Sequence, residues 1–311
     1  MYAYNIYEHI FVLDINLLDM YSTKQVTYSQ IYTCAKNILK SANIDDYVIS
    51  ASLIFEFYFK ICRRDFPVYA QKEVPKSLCE EFFRLINKRK DHYPLQYILG
   101  KWNFMGHTYE LGEGVLIPRY DTEVLVNRCI KFLKELKNVE EINILDLCSG
   151  TGIIAITLAK EFKNINVFAV EYCDQAFKYL EKNIKIHKVL NVKAIKHNVL
   201  LEEFPAKIKK NSFSLIVSNP PYIESEKINS LEQEVKKEPI SALDGGIDGL
   251  LFYKSILKNW KKLLSNDSGF CTEIGENQSE SVAKIFKING FKNIEIIKDL
   301  NEKPRVVFGI I

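Results

Sequence analysis

From residue 142 to the end of the chain, short apolar runs alternate with longer segments of helical period. That alternation narrows the possible folds more than any other feature. Runs 142–147, 165–170, 192–195, 213–217, 269–274, 294–297 and 306–310 read as strands. Segments 153–162, 175–187, 250–264 and 279–288 read as helices. Strands and helices in this order and at this spacing build a mainly parallel, doubly wound sheet. The last two runs are joined too tightly for a helical crossover, so one of them must lie antiparallel.

The upstream part is of another kind. Ile31, Ala35, Ile38 and Leu39 recur at helical spacing, as do Ile54, Phe55, Tyr58 and Phe59. Leu78, Phe82, Phe83, Leu85 and Ile86 continue the pattern, and no glycine occurs before Gly100. A small all-α N-terminal domain is expected over residues 1–92, of which 1–26 form an extension with no assigned role. Between 93 and 118, Gly100, Gly106, Gly112 and Gly114 punctuate short extended runs, as in a β-hairpin linker. The α/β domain then takes residues 119–311, opening with a helix from Asp121 through Val124, Leu125 and Cys129.

Composition excludes several classes. With 47% hydrophobic and 26% charged residues, the 311-residue chain can fill the cores of both domains. A formal net charge of +3 is too small to argue for nucleic acid by itself. The seven cysteines include no C-x-x-C pair and no accompanying His pair. That speaks against zinc and for reduced thiols in the cytoplasm. No uninterrupted apolar stretch of about 18 residues is present, and the N-terminus lacks the basic start of a leader.

Three constellations carry chemistry. The first is Ile144-Leu145-Asp146-Leu147-Cys148-Ser149-Gly150-Thr151-Gly152, a strand ending in an acid followed by a glycine-containing turn into a helix. Gly150 and Gly152 let the backbone close on a ligand. An acid beside that turn repels a pyrophosphate and attracts the ammonium of an amino-acid moiety. The second is Glu171, at the end of the next strand and nineteen positions after Gly152, where an acid can accept both ribose hydroxyls of a nucleoside. A nucleoside with an amino-acid tail points to S-adenosylmethionine.

The third, Ser218-Asn219-Pro220-Pro221-Tyr222, follows an apolar strand and is the most specific. Two prolines after a strand stiffen an extended backbone that has no N–H donors of its own. The Asn219 side-chain oxygen and the Pro220 carbonyl are then acceptors for a planar –NH₂, and Tyr222 walls the target. Gripping both hydrogens aims a poorly nucleophilic amide nitrogen at the methyl group. Asn219, Pro220 and Tyr222 are therefore the expected catalytic residues, and Asn219, Pro220, Pro221 and Tyr222 the expected substrate contacts.

Further segments make the chain resemble the HemK/PrmC family, the peptide chain release factor N5-glutamine methyltransferases, over about residues 27–311. Pro94-Leu95-Gln96-Tyr97-Ile98-Leu99-Gly100 is similar to the family's P-x-Q-Y-I-x-G. Leu116-Ile117-Pro118-Arg119-Tyr120-Asp121-Thr122-Glu123 resembles L-I-P-R-P-[ED]-T-E. The run 238–250 resembles E-P-x-x-A-L-x-G-G-x-D-G-L. Glu273, Gly275 and Gln278 resemble E-x-G-x-x-Q, and Arg305 falls on a late arginine.

The resemblance implies a Rossmann-like class I methyltransferase domain with a mainly parallel seven-stranded sheet, behind a helical domain and a hairpin linker. It implies that Cys148, Ser149, Gly150, Thr151, Gly152, Glu171, Asn198, Val199 and Asn219 hold S-adenosylmethionine. It also implies that the Gly-Gly-Gln glutamine of class I release factors is the substrate of a cytoplasmic, monomeric enzyme. Cys148 stands where the family usually has glycine, Glu171 where it usually has Asp, and Tyr120 where Pro is common. Arg119, Asp248 and Glu273 are open between functional and structural roles. Two rival targets use related motifs: the exocyclic amine of adenine in nucleic acid, and a glutamine of a ribosomal protein.

Overall fold

The structure is a computed structural model that describes residues 26–136, 141–205, 208 and 212–311. The chain divides into two compact units, Met1–Leu99 and Gly100–Ile311. The N-terminal extension falls almost wholly outside the described residues.

In the first unit, strand β1 (Val26–Thr27) pairs antiparallel with β2 (Glu73–Val74). Helices α1 (Tyr28–Ser41), α2 (Tyr47–Phe59), α3 (Phe66–Tyr69), α4 (Lys76–Lys90) and α5 (Leu95–Leu99) surround one apolar core. Thr27 starts α1 with a capping box: its hydroxyl accepts from Gln30 N at 3.3 Å, and Gln30 Oε1 accepts from Thr27 N at 2.9 Å. The periodic positions Ile31, Leu39, Ile54, Phe82 and Ile86 are fully buried. Leu78 is the exception and faces solvent. Residues 95–99, read from sequence as part of an extended connector, form α5 instead and bury Leu95 and Ile98 in this core.

The second unit opens with a hairpin of β3 (Lys101–Phe104) and β4 (His107–Glu110). Its two-residue turn, Met105-Gly106, has both φ values positive, which matches the twist of a tight hairpin. Then follow α6 (Thr122–Glu135), β5 (Ile142–Leu147), α7 (Ile153–Glu161), β6 (Ile165–Glu171), α8 (Asp174–His187), β7 (Val192–Lys196) and β8 (Phe213–Ser218). The chain ends with α9 (Leu251–Asn259), β9 (Leu264–Glu273), α10 (Ser279–Ile288), β10 (Lys292–Lys298) and β11 (Pro304–Ile310). The seven-stranded sheet has the order β10-β11-β9-β8-β5-β6-β7. Strands β5 to β9 run parallel, and β11 lies antiparallel between β9 and β10. The expected antiparallel strand is thus the last one.

Helix α9 stops at Asn259, short of the expected 264, and a 3₁₀ turn Trp260–Leu263 follows. The cause is Trp260. Its ring is fully buried and its Nε1–H donates to Val199 O at 2.8 Å, which draws the chain toward the sheet. Strand β9 therefore begins at Leu264, five residues before the expected 269, with a register shift against β8.

The order reverses between β5 and β8. The chain steps outward through β6 and β7, then returns to pair β8 with β5. In open α/β sheets ligands bind at the carboxyl ends of strands flanking such a switch point. Here those ends are Leu147 and Ser218, which are register partners, and the Ser218 hydroxyl donates to Leu147 O at 2.8 Å. Among the described residues no helix is long and apolar enough to cross a membrane, and no cluster of His, Cys, Asp and Glu has the makings of a metal site.

Among the described residues of the first unit, one cation is buried, Arg89. Its Nε donates to Ser50 Oγ and its Nη2 to Asp46 Oδ1, both at 2.9 Å, so it ties α4 to the start of α2. Asp46 is partly solvated, which moderates the cost of losing its partner. Arg89→Ala is expected to destabilise the protein by about 2 kcal/mol in urea unfolding. A change below about 0.5 kcal/mol, the size of an ordinary surface substitution, would contradict that role.

Candidate active site

The loop after β5 is held from beneath. Asp146 is fully buried, and its Oδ2 accepts from Ala155 N at 3.1 Å, in the first turn of α7. A carboxylate at a helix N-terminus is favoured by the helix dipole. Its Oδ1 has no hydrogen-bond partner. Burial above all, with the nearby Glu171 charge adding to it, pushes the Asp146 carboxyl up to about 7. Sequence reading gave this acid the task of attracting a ligand ammonium. The structure sets it under the loop, off the cavity wall, where it anchors the strand to the helix.

Above it, Cys148, Gly150 and Gly152 all have positive φ, at 61°, 56° and 84°. For Cys148 this is a conformation that L-residues adopt at a cost of about 1 kcal/mol. Gly152 is needed for packing: a Cβ there would stand 2.5 Å from Leu180 Cδ1. It does not line the cavity, whereas Cys148, Ser149, Gly150 and Thr151 do. Glu171 is nearly buried at the end of β6. Its two oxygens accept from Gly150 N at 2.8 Å and Cys173 N at 2.7 Å. Burial raises its pKa, and the N–H bonds hold it back. Asn198 turns back on itself, its Oδ1 accepting from Leu200 N at 3.0 Å, and lies with Val199 on the same cavity.

The tetrad after β8 is clamped along its backbone. Gln278 Nε2 donates to Tyr222 O at 2.9 Å and to Gly249 O at 3.2 Å, while its Oε1 accepts from Gly275 N at 3.0 Å. Ile223 N donates to Leu243 O, and Gly245 N to Ile223 O. A Cβ on Gly245 would fall 2.7 Å from Tyr222 Cα, and one on Gly249 2.5 Å from Tyr222 O. These glycines thus let a second strip of backbone lie directly on the tetrad. Tyr222 donates from its hydroxyl to Glu273 Oε1 at 3.3 Å. Glu273 is fully buried, and burial pushes its carboxyl up to about 7, against the Thr122 hydroxyl and Tyr222, which draw it down. Glu273 Oε2 has no partner in hydrogen-bonding geometry.

Two cavities meet here, of about 500 and 380 Å³. The larger is lined by the loop 148–151, Glu171, Asn198, Val199 and Pro221. The smaller is lined by Pro220, Tyr222 and Glu273, with apolar Leu231, Val235 and Leu243. Asn219 lies on both, together with Leu116, Arg119 and Ala242. Pro221, grouped with the substrate contacts on sequence, therefore faces the first cavity and not the second.

Arg119 is ion-paired with buried Glu238, whose other oxygen accepts from Ile117 N at 2.9 Å. This pair joins the 116–119 segment to the 238–242 segment at the seam between the cavities. Asp248 instead caps a turn, accepting from Leu250 N at 3.0 Å, and pairs with Lys254 on the surface. Arg305 bridges Asp121 and Asp299. Sequence reading missed Thr122, whose Oγ1 accepts from Asn219 Nδ2 at 3.2 Å. Its signal was present, as the threonine of the 116–123 run.

A sheet of this order, with its last strand antiparallel and a glycine turn at the switch point, is that of a class I S-adenosylmethionine-dependent methyltransferase. Residues 30–100 match the PrmC N-terminal domain, and residues 129–278 the methyltransferase small domain. A release factor glutamine methyltransferase of Clostridium botulinum is 40% identical over 278 residues, covering 87% of this chain and 94% of that protein. Another, of Fusobacterium nucleatum, is 36% identical over 284 residues, covering 90% and 77%. Among solved structures, the hMettl16 catalytic domain in complex with MAT2A 3'UTR hairpin 1 matches with a TM-score of 0.50 at 15% identity. It covers 75% of this chain and 79% of that one, and it supports the fold alone. The chain belongs to the release factor glutamine methyltransferase family.

The burial of Asp146 has a consequence for stability. Its carboxyl rises from 3.8 to about 7 on folding, so the folded state holds the proton more tightly. That contribution is full below about 3.8 and is lost as pH rises through about 7. Asp146→Asn keeps an oxygen for Ala155 N and removes the titration. The variant is expected to lose less stability than the parent between pH 5 and pH 8, read from urea midpoints. Equal losses would show that Asp146 does not titrate in this window.

Proposed function

We propose that this chain transfers a methyl group from S-adenosylmethionine to the side-chain amide nitrogen of a glutamine, that of the Gly-Gly-Gln motif of class I peptide chain release factors. It would act in the cytoplasm, as a monomer. The observation that carries this reading is the position of Asn219. Its carboxamide lies on the wall shared by two cavities, and its nitrogen is already engaged by Thr122.

The first cavity suits the cofactor. Its volume is in the range of small-molecule sites. A Cβ on Gly150 would meet nothing within 4 Å, so ligand atoms have room beside that backbone. A carboxylate has about four acceptor positions, and the N–H groups of Gly150 and Cys173 leave Glu171 capacity for two ribose hydroxyls. Cys148, Ser149, Gly150 and Thr151 would hold the amino-acid part, with Asn198 and Val199 beside the adenine. Bound there, S-adenosylmethionine supplies an electrophilic methyl group on a sulfonium.

The chain's own part is orientation. An amide nitrogen is a weak nucleophile because its lone pair is delocalised. Asn219 Oδ1 and the Pro220 carbonyl accept its two hydrogens, which fixes its plane and its approach. Both contacts strengthen as positive charge builds on the nitrogen. The proton leaves after transfer, so no strong base is required. Tyr222 and the apolar residues Leu231, Val235 and Leu243 enclose the glutamine stem.

Two substitutions separate the two cavities. Asn219→Ala is expected to lower methyl transfer to a release factor about 100- to 1000-fold while cofactor affinity changes only a few-fold. Glu171→Ala is expected to weaken cofactor binding by about 10-fold or more. Labelled-methyl transfer and calorimetry measure the two. Near-normal transfer by the Asn219 variant would reject the reading.

A further inference from the structure

The Asn219 carboxamide has two possible orientations, and only one of them suits an –NH₂ target. With Oδ1 toward the second cavity it accepts hydrogens; with Nδ2 there it would donate them and favour a carbonyl or carboxylate. The two orientations have the same shape, so packing cannot choose between them. The hydrogen bonds must.

Thr122 makes the choice. It is 1% exposed, in the first turn of α6, and its Oγ1 accepts from Asn219 Nδ2 at 3.2 Å. A hydroxyl has one hydrogen, and it could in principle be donated to Asn219 Oδ1, which would reverse the amide. Buried Glu273 lies beside the same hydroxyl, and its Oε2 has no other partner. Its Oε1 already takes the Tyr222 hydroxyl at 3.3 Å. The open Oε2 gives the Thr122 hydrogen an acceptor other than Asn219 Oδ1, and the Thr122 lone pairs remain for Asn219 Nδ2, the bond the structure has.

We propose that Thr122, backed by Glu273, sets the polarity of Asn219, so that the second cavity takes a carboxamide and refuses a carboxylate of the same shape. Thr122 and Glu273 are thus positioning and specificity residues, acting through Asn219. The inference rests on the reading of Asn219 as the amide-holding group. It explains why a threonine and an acid lying 151 positions apart in the chain are buried together beside the tetrad.

The test measures discrimination as well as rate. Binding of two release factors, one with the target glutamine and one with glutamate in its place, is compared on enzyme saturated with S-adenosylhomocysteine. The parent should prefer glutamine strongly. Thr122→Val removes the acceptor at nearly constant volume and should shrink that preference at least about 10-fold, with kcat falling and cofactor affinity unchanged. Thr122→Ser should restore the preference. Glu273→Gln keeps Thr122 but gives it a donor as neighbour, and should shrink the preference in the same direction even if the valine variant fails to fold. An unchanged preference in folded Thr122→Val or Glu273→Gln overturns the proposal, as does a loss of cofactor affinity parallel to the loss of rate. If Asn219→Ala itself leaves transfer intact, the reading of Asn219 fails first, and the two failures are distinguishable.

Discussion

Leu147 and Ser218 lie opposite one another at the carboxyl ends of two adjacent parallel strands, and the rest of the site depends on that pairing. Two cavities can serve one reaction only if they open on each other. The reversal of strand order forces the loop after β5 and the tetrad after β8 to leave the sheet side by side. The Ser218 hydroxyl, donating to Leu147 O, locks the two exits at the last register position. No long-range motion is needed to bring the loop and the tetrad together, because the hydrogen-bond ladder has already done so.

A rigid acceptor for an amide also needs a backbone that does not move. Two consecutive prolines supply part of this, but they leave Tyr222 and Ile223 to be held by others. Gln278, Gly245 and Gly249 do so through contacts with main chain, and Tyr222 and Asn219 stay on the cavity walls. The Arg119–Glu238 pair closes the same structure from the opposite side, with Glu238 almost completely buried. Such a pair contributes little net stability, yet it fixes geometry, since Glu238 without Arg119 would be an unpaired buried charge. Segments scattered between residues 116 and 278 thus converge on four residues.

Much of this was legible in sequence, for physical reasons that differ from part to part. Strand and helix order was legible because buried strands and amphipathic helices differ in period. That one of the last two strands lies antiparallel was legible from loop length. That Cys148–Thr151, Glu171 and the tetrad would gather at the strand ends was legible because each stands at the carboxyl end of an apolar strand. Roles that depend on burial were not. Asp146 reads as a ligand for an ammonium until its depth beneath the loop is known, and Gly152 reads as a ligand contact until Leu180 is seen against it. The end of α9 was misread because Trp260 looks like one more helical apolar residue, whereas its indole N–H binds a carbonyl 61 positions away. Residues 225–242 contain short 3₁₀ turns without a periodic signal, yet they supply Leu231 and Val235 to the second cavity.

The central claim is that the corner between the two cavities holds a glutamine amide beside a methyl donor. Tandem mass spectrometry of a release factor produced together with this protein addresses it most directly. The account predicts one added methyl group, on the side-chain nitrogen of the glutamine in the Gly-Gly-Gln loop, and none when this protein is left out. An unmodified glutamine, with the methyl group found on another residue or on nucleic acid, would contradict it.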